Sequence, residues 1–299
     1  MKNMIPNKLK KGDRVAFFAP SGKLKDGQLD LMIKACNALG LEYYIHPQCY
    51  SGGSYLAVSD EDKVKALHEM FQDKTISAIF CVRGGYGTMR YLDDIDYSII
   101  KENPKILMGM SDVTALQAAI YKKTGLVTYS GPMSMHFNND FDFAVNQIKK
   151  VLIDGDEEIS LNATDVLSEG VAEGKLIAGN LAMLSYLTGT DYDYDYTDSV
   201  LMFEEVGEWK YSIDRFLQQL KMSGKLKKIN AIVVGENDYK ENDMFDYTFN
   251  QMLENVTSGL NIPVAVGAQF GHLNKHLVLP VGQNIKLNLK KDKQSIILK

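Results

Sequence analysis

The chain has 299 residues, 45% of them hydrophobic, so it can fill either one large core or two of ordinary size, and two domains are expected. Its formal net charge of −5, with lysine and arginine scattered along its length, excludes the basic stripe that tracks a phosphate backbone and with it a nucleic-acid partner. Cys36, Cys49 and Cys81 show no C-x-x-C spacing, no apolar window nears the ~18 residues of a membrane span, and no signal-like apolar run follows the N-terminal lysines, which points to a cytoplasmic protein without membrane association, disulfide framework or zinc site.

The first half alternates strand and helix patterns. Val15–Ala19 is an apolar run closed by Pro20-Ser21-Gly22, as expected of a strand buried on both faces. Leu29, Met32, Ile33, Cys36 and Leu39 share a helical face, Leu41–His46 reads as the next strand, and Ser59 with acids in the following turn starts a second helix. Ile76–Val82 is a third strand, ending in Arg83-Gly84-Gly85-Tyr86-Gly87, and Ile106–Met108 a fourth, ending at Gly109. A helix over 112–122 capped by Gly125 precedes a fifth strand, Leu126–Tyr129. This alternation with short loops predicts a mainly parallel sheet whose post-strand loops line one functional edge. After about 153 the pattern changes. The polar 154–170 stretch reads as a linker between an N-terminal domain over 1–153 and a C-terminal one over 171–299. That second part contains strands at 175–177, 199–205 and 231–234, helices between them and several short strands after Pro263, and is mixed α+β with a β-rich end.

Four groups of residues could carry chemistry. Ser111 follows a short strand and Gly109 and opens a helix; that is how α/β enzymes present a nucleophile, with the Asp112 amide placed to donate to an oxyanion, and it is equally how a serine caps a helix. The glycines of the Arg83–Gly87 loop let backbone amides face an anion, although neither the dinucleotide fingerprint nor a P-loop occurs. His272, one of five histidines, is a candidate general base; His276 four residues on suggests a metal pair, but Leu273 replaces the glutamate of H-E-x-x-H. Glu204-Glu205 ends an apolar run where an unpaired carboxylate is costly, and alternation along a strand lets only one of them reach a cleft.

In this order and spacing, Arg83-Gly84-Gly85-Tyr86-Gly87, Gly109-Met110-Ser111-Asp112-Val113-Thr114, Gly179-Asn180-Leu181, Glu204-Glu205-Val206-Gly207-Glu208 with Tyr211–Arg215, and Gly271-His272 resemble the LD-carboxypeptidase family of serine peptidases, which includes the microcin-immunity peptidases. The resemblance runs from about Gly12 to Gly282. It implies an α/β fold: an N-terminal three-layer α/β sandwich with a mainly parallel sheet, carrying the nucleophile, and a C-terminal β-rich α+β domain carrying the acid and histidine, in a homodimer. It implies a triad of Ser111, Glu204 and His272, an oxyanion hole from the Gly85 and Asp112 amides, and no metal or cofactor. Arg83, Gly84 and Tyr86 are candidate substrate-binding residues, with Arg83 a partner for a carboxylate by charge. The implied reaction is hydrolysis of the L,D-peptide bond before the terminal D-alanine of a murein tetrapeptide, through an acyl-enzyme, in peptidoglycan recycling.

Met110, Glu205 and Gly235–Asp238 depart from the family's usual residues, and the last two, which border the expected cleft, bear on substrate preference. A microcin-immunity peptidase acting on a peptidyl or aminoacyl nucleotide ranks second, because the chain is short for that branch's inserted loop. A non-catalytic protein that binds a peptide carboxylate or other anion in its cleft is the reading from another class. An α/β-hydrolase esterase shares the serine, acid, histidine order, but Val113 stands where G-x-S-x-G needs its second glycine.

Overall fold

Short runs of buried side chains decide where the strands of this protein fall. The structure, a computed structural model, describes residues 3–50, 52–240 and 246–299. The chain divides into two units, one of residues 1–156 with 275–282 and one of residues 157–274 with 283–299.

The first unit alternates strictly through β1 (Arg14–Phe18), α1 (Asp30–Ala38), β2 (Glu42–Ile45), α2 (Asp60–Gln72), β3 (Ile76–Cys81), α3 (Tyr97–Glu102), β4 (Ile106–Gly109), α4 (Val113–Thr124) and β5 (Thr128–Ser130), followed by α5 (Ser134–Asn139) and α6 (Phe141–Ile148). Every residue of β4 is buried, as are four of five in β1, while β2 at the sheet edge is largely exposed. A strand covered on both faces needs an unbroken apolar run, which is why β1, β3 and β4 are legible as such. Ser59 caps α2 by accepting from the Asp62 amide at 3.1 Å, and Gly125 ends α4 at φ +79°, a left-handed conformation that glycine adopts without a Cβ penalty.

The second unit begins with β6 (Glu158–Ser160) and β7 (Asp165–Ser168), then alternates through β8 (Gly170–Asn180), α7 (Leu181–Tyr186), β9 (Ser199–Trp209), α8 (Lys210–Met222), β10 (Ile229–Lys240), α9 (Phe249–Thr257) and β11 (Val264–Ala268). The chain then returns to the first unit for β12 (Leu279–Val281) and back to the second for β13 (Asn284–Leu289) and β14 (Gln294–Leu298). The first sheet runs β12-β5-β4-β3-β1-β2, parallel throughout except where β12 pairs antiparallel with β5. The second runs β6-β14-β13-β8-β9-β10-β11-β7, with β8 to β11 parallel and the outer strands antiparallel.

Two features differ from the sequence reading. The 154–170 stretch, read as linker, supplies β6 and β7, whose partners lie in β14 and β11, more than 90 residues on; so short a strand carries no pattern of its own. Residues 275–282, assigned to the C-terminal part, belong to the first unit. The acidic-aromatic stretch 191–196 is packed down: Tyr194 and Tyr196 are buried, the Lys225 ammonium lies 4.5 Å from the centre of the Tyr196 ring, and the same ammonium pairs with Asp193. Among the described residues no helix is long and apolar enough to cross a membrane. All three cysteines are buried and unpaired, and burial pushes the Cys36 and Cys49 thiols up to about 12.

Candidate active site

In the first unit the candidate residues sit where β1, β3 and β4, neighbours in the sheet, end. Gly109 closes β4 at a point where a Cβ would lie 2.8 Å from the Cys81 Cβ and 3.0 Å from Val113 Cγ1, so only glycine lets the strand turn tightly into α4. Ser111 follows at φ +64°, one of four described non-glycine residues with positive φ. A left-handed L-residue costs about 1–2 kcal/mol, and strain of this kind marks a side chain held for a purpose. The cap position of α4 is Asp112 rather than Ser111, which is half-exposed in the turn before it.

The glycine loop packs directly on this turn. A Cβ on Gly84 would lie 2.9 Å from the Ser111 Cβ and 3.1 Å from its Oγ. We therefore expect Gly84→Ala to lower turnover about a hundred-fold by displacing the Ser111 hydroxyl, measured as kcat beside an unfolding curve that shows the protein folded. Gly85, at φ +114°, is exposed, as is Tyr86. Asp112 is buried, with its carboxylate hydrogen-bonded to Ser21 and to the amide of Thr88. Arg83 gives one guanidinium N–H to the carbonyl of Lys23, so part of its donor set ties the glycine loop to the segment after β1.

In the second unit the structure brings Glu204 and His272 together. His272 Nδ1 lies 2.7 Å from Glu204 Oε2, with the two side chains 13% and 2% exposed. Burial disfavours the imidazolium of His272. The charge and hydrogen bond of Glu204 and the charge of Glu205 outweigh that penalty and hold its pKa above the ordinary 6.5. With Nδ1 facing a carboxylate, the neutral ring carries its proton there and leaves Nε2 as the basic nitrogen, an assignment made from the hydrogen bond. His276, paired with His272 in the metal reading, instead makes a 3.0 Å contact with Ser130 in the first unit. Among the described residues no group of three or more histidine, cysteine, aspartate or glutamate side chains could hold a metal ion.

The loop carrying His272 is held by glycines that the sequence left unexplained. Glu236 N donates to Phe270 O at 2.7 Å. A Cβ on Gly235 would lie 2.2 Å from that oxygen, and one on Gly271, at φ +142°, would lie 2.8 Å from Glu236 O. Strand alternation does not separate Glu204 from Glu205. Both are buried, and the Asn180 amide donates to Glu204 Oε1 at 3.3 Å and to Glu205 Oε1 at 3.0 Å. The pleat is irregular here: β10 contributes one residue more than β9 between the pairs Phe203–Val234 and Glu205–Asn237. Glu205 also accepts from Ala182 N and Val206 N, yet burial and the neighbouring Glu204 push its pKa up to about 7. Asn180, whose Oδ1 also caps α7 by accepting from Met183 N at 3.2 Å, stood in the sequence within a family motif, Gly179-Asn180-Leu181, but with no role attached to it. Its place at a strand-to-helix junction marks the cap but not the bridge to the two carboxylates.

Residues 15–131 match the model of the LD-carboxypeptidase N-terminal domain and residues 173–287 that of the LD-carboxypeptidase C-terminal domain. A probable murein peptide carboxypeptidase of Bacillus subtilis (strain 168) is 33% identical over 297 residues, covering 96% of this chain and 92% of its own. The crystal structure of a muramoyltetrapeptide carboxypeptidase from Oxalobacter formigenes superposes with a TM-score of 0.86 at 31% identity, covering 95% of this chain and 98% of that one. An MccF-like protein from Bacillus anthracis str. Ames gives a TM-score of 0.87 at 29% identity over 99% of both chains. The chain therefore belongs to the LD-carboxypeptidase family and is a serine-type carboxypeptidase.

Proposed function

We propose that this carboxypeptidase hydrolyses the L,D-peptide bond before the terminal D-alanine of murein tetrapeptides, with Ser111 as nucleophile, His272 as general base and Glu204 as the acid that orients it. The observation that carries the reading is the part-buried His272–Glu204 pair, 2.7 Å apart, at the two positions that the family motifs assign to base and acid. The names of the murein-directed relatives support the substrate class.

In this mechanism Ser111 Oγ attacks the carbonyl carbon and its proton passes to His272 Nε2. The carbonyl oxygen becomes an anion held by the amides of Gly85 and Asp112. The tetrahedral adduct collapses, the C–N bond breaks, and His272 returns the proton to the amine of departing D-alanine. Water, deprotonated by His272, then attacks the acyl-enzyme, the bond to Ser111 Oγ breaks, and His272 gives the proton to Oγ as the tripeptide leaves. Glu204 stays ionised, holds the imidazole by Nδ1 and stabilises the imidazolium. We place the reaction in cytoplasmic peptidoglycan recycling, carried out by a homodimer on a free peptide.

A product assay over a small panel tests the reading. D-Alanine is expected from the murein tetrapeptide, and no release from the tripeptide or from an all-L control. Cleavage of an aminoacyl nucleotide in preference to the tetrapeptide would move the chain to the microcin-immunity branch, the second reading, which the MccF-like structural relative favours.

A further inference from the structure

We infer that the carboxylate of Asp112 is a positioning group that fixes the glycine loop against the Ser111 turn, an inference that rests on the role proposed above for the Gly85 and Asp112 amides. An aspartate at the start of a helix ordinarily turns its carboxylate onto the amides of the first helical turn. Asp112 occupies that place in α4 and makes no such bond. Its Oδ2 is turned outward from the helix and receives two donors from other loops, the Ser21 hydroxyl at 2.6 Å and the Thr88 amide at 2.9 Å. Thr88 answers with its hydroxyl, which donates to the backbone carbonyl of Asp112 at 2.6 Å.

These bonds join the segments that follow β1, β3 and β4, and all three residues are buried, with exposures of 0% for Ser21, 0% for Thr88 and 3% for Asp112. A carboxylate withdrawn from water to this extent is retained only where donors compensate it, and here both come from loops that must keep their places. The glycine loop is held at both ends. Gly22 N donates to Gly84 O at 3.2 Å on one side, and Asp112 clasps Thr88 on the other. Gly85, at φ +114°, lies in the short span between these points. Glycine confers no rigidity of its own, so the direction of the Gly85 amide is set by the clamps. The side chain of Asp112 thus aligns a donor on a neighbouring loop with the donor that its own backbone supplies.

Two readouts test this. The first is steady-state release of D-alanine from the murein tetrapeptide. The second is the rate at which a fluorophosphonate labels Ser111, a reaction in which Oγ bonds to phosphorus, fluoride leaves, the serine proton goes to the base, and negative charge builds on the phosphoryl oxygen. Asp112→Ala is expected to lower kcat and the labelling rate about a hundred-fold while KM stays near wild type, since amides aimed at an oxyanion act on the transition state. Asp112→Asn, whose single carbonyl oxygen can accept from both donors, is expected to recover most of that loss. Thr88→Val, which removes one hydroxyl, should repeat the defect and Thr88→Ser should repair it, which keeps the test open if Asp112→Ala does not fold. Wild-type rates in both Asp112→Ala and Thr88→Val, or a rise in KM at constant kcat, would overturn the inference. A wild-type protein that is labelled yet releases no D-alanine would count against the murein substrate alone, and the labelling rates would still decide the role of Asp112.

Discussion

Ser111→Ala is expected to abolish release of D-alanine, with kcat falling about a million-fold, the loss usual when the nucleophile of a serine triad is removed. Alanine keeps the Cβ and must adopt the same φ of +64°, so the backbone strain is unchanged and the unfolding transition should stay where it is. Binding of the tetrapeptide, measured calorimetrically on the inactive variant, should persist, because only the reacting oxygen has gone. Turnover at the wild-type rate would sink the proposed mechanism, and the family assignment, which rests on the match of both halves of the chain, would survive it.

The second large effect is expected at Glu204. Glu204→Gln preserves shape but presents no charge to Nδ1 of His272, and the lost orientation and imidazolium stabilisation should cost about ten-thousand-fold in kcat. The pH profile gives a finer test. In the wild type His272 is held above 6.5, so kcat/KM should fall as the pH drops through a midpoint above that value, where the base becomes protonated. Removing the Glu204 charge leaves the burial penalty dominant, the imidazolium becomes harder to form, and the acid limb should move to lower pH. Stability follows the same sign. A histidine whose folded pKa is raised contributes fully below its unfolded pKa, and the contribution fades as the pH rises through the folded value; in Glu204→Gln, with the burial penalty dominant, this dependence should reverse, stability falling as the pH drops through the unfolded value. An acid limb that stays put in the variant would show that Glu204 does not act through His272.

Much of the fold was legible because its central strands are covered on both faces and therefore carry unbroken apolar runs, as in Val15–Phe18 and Ile106–Met108. The helix starts at Ser59 and the stop at Gly125 could be read for a similarly local reason, since cap chemistry is written within three or four residues. What could not be read is pairing over distance. Strands β6 and β7 exist only because β14 and β11 arrive beside them.

The same division runs through the candidate site. Ser111, Glu204 and His272 stand out by residue type and motif. The elements that aim them do not: the close approach of Gly235 and Gly271 to their neighbours' backbones, the amide of Asn180 between two carboxylates, and the carboxylate of Asp112 among three loops are all relations between residues far apart in the chain. Even at Ser111 the left-handed backbone is a conformational fact that a serine in the sequence does not announce.

The return of residues 275–282 to the first unit means that the covalent chain passes from one unit to the other three times, at 156–157, 274–275 and 282–283. The two halves of the gene are thus laced, and no single cut separates them into complete folds. A fragment ending at 156 would leave β5 without its antiparallel neighbour β12 and present a row of unpaired peptide groups, an invitation to pair with another copy. His272 lies two residues before the second of these passages, so the backbone bearing the proposed base is continuous with the edge strand of the sheet that bears the proposed nucleophile. During synthesis the first sheet must wait for its last strand until residues 279–281 have emerged, and a premature stop anywhere before residue 279 forfeits that edge.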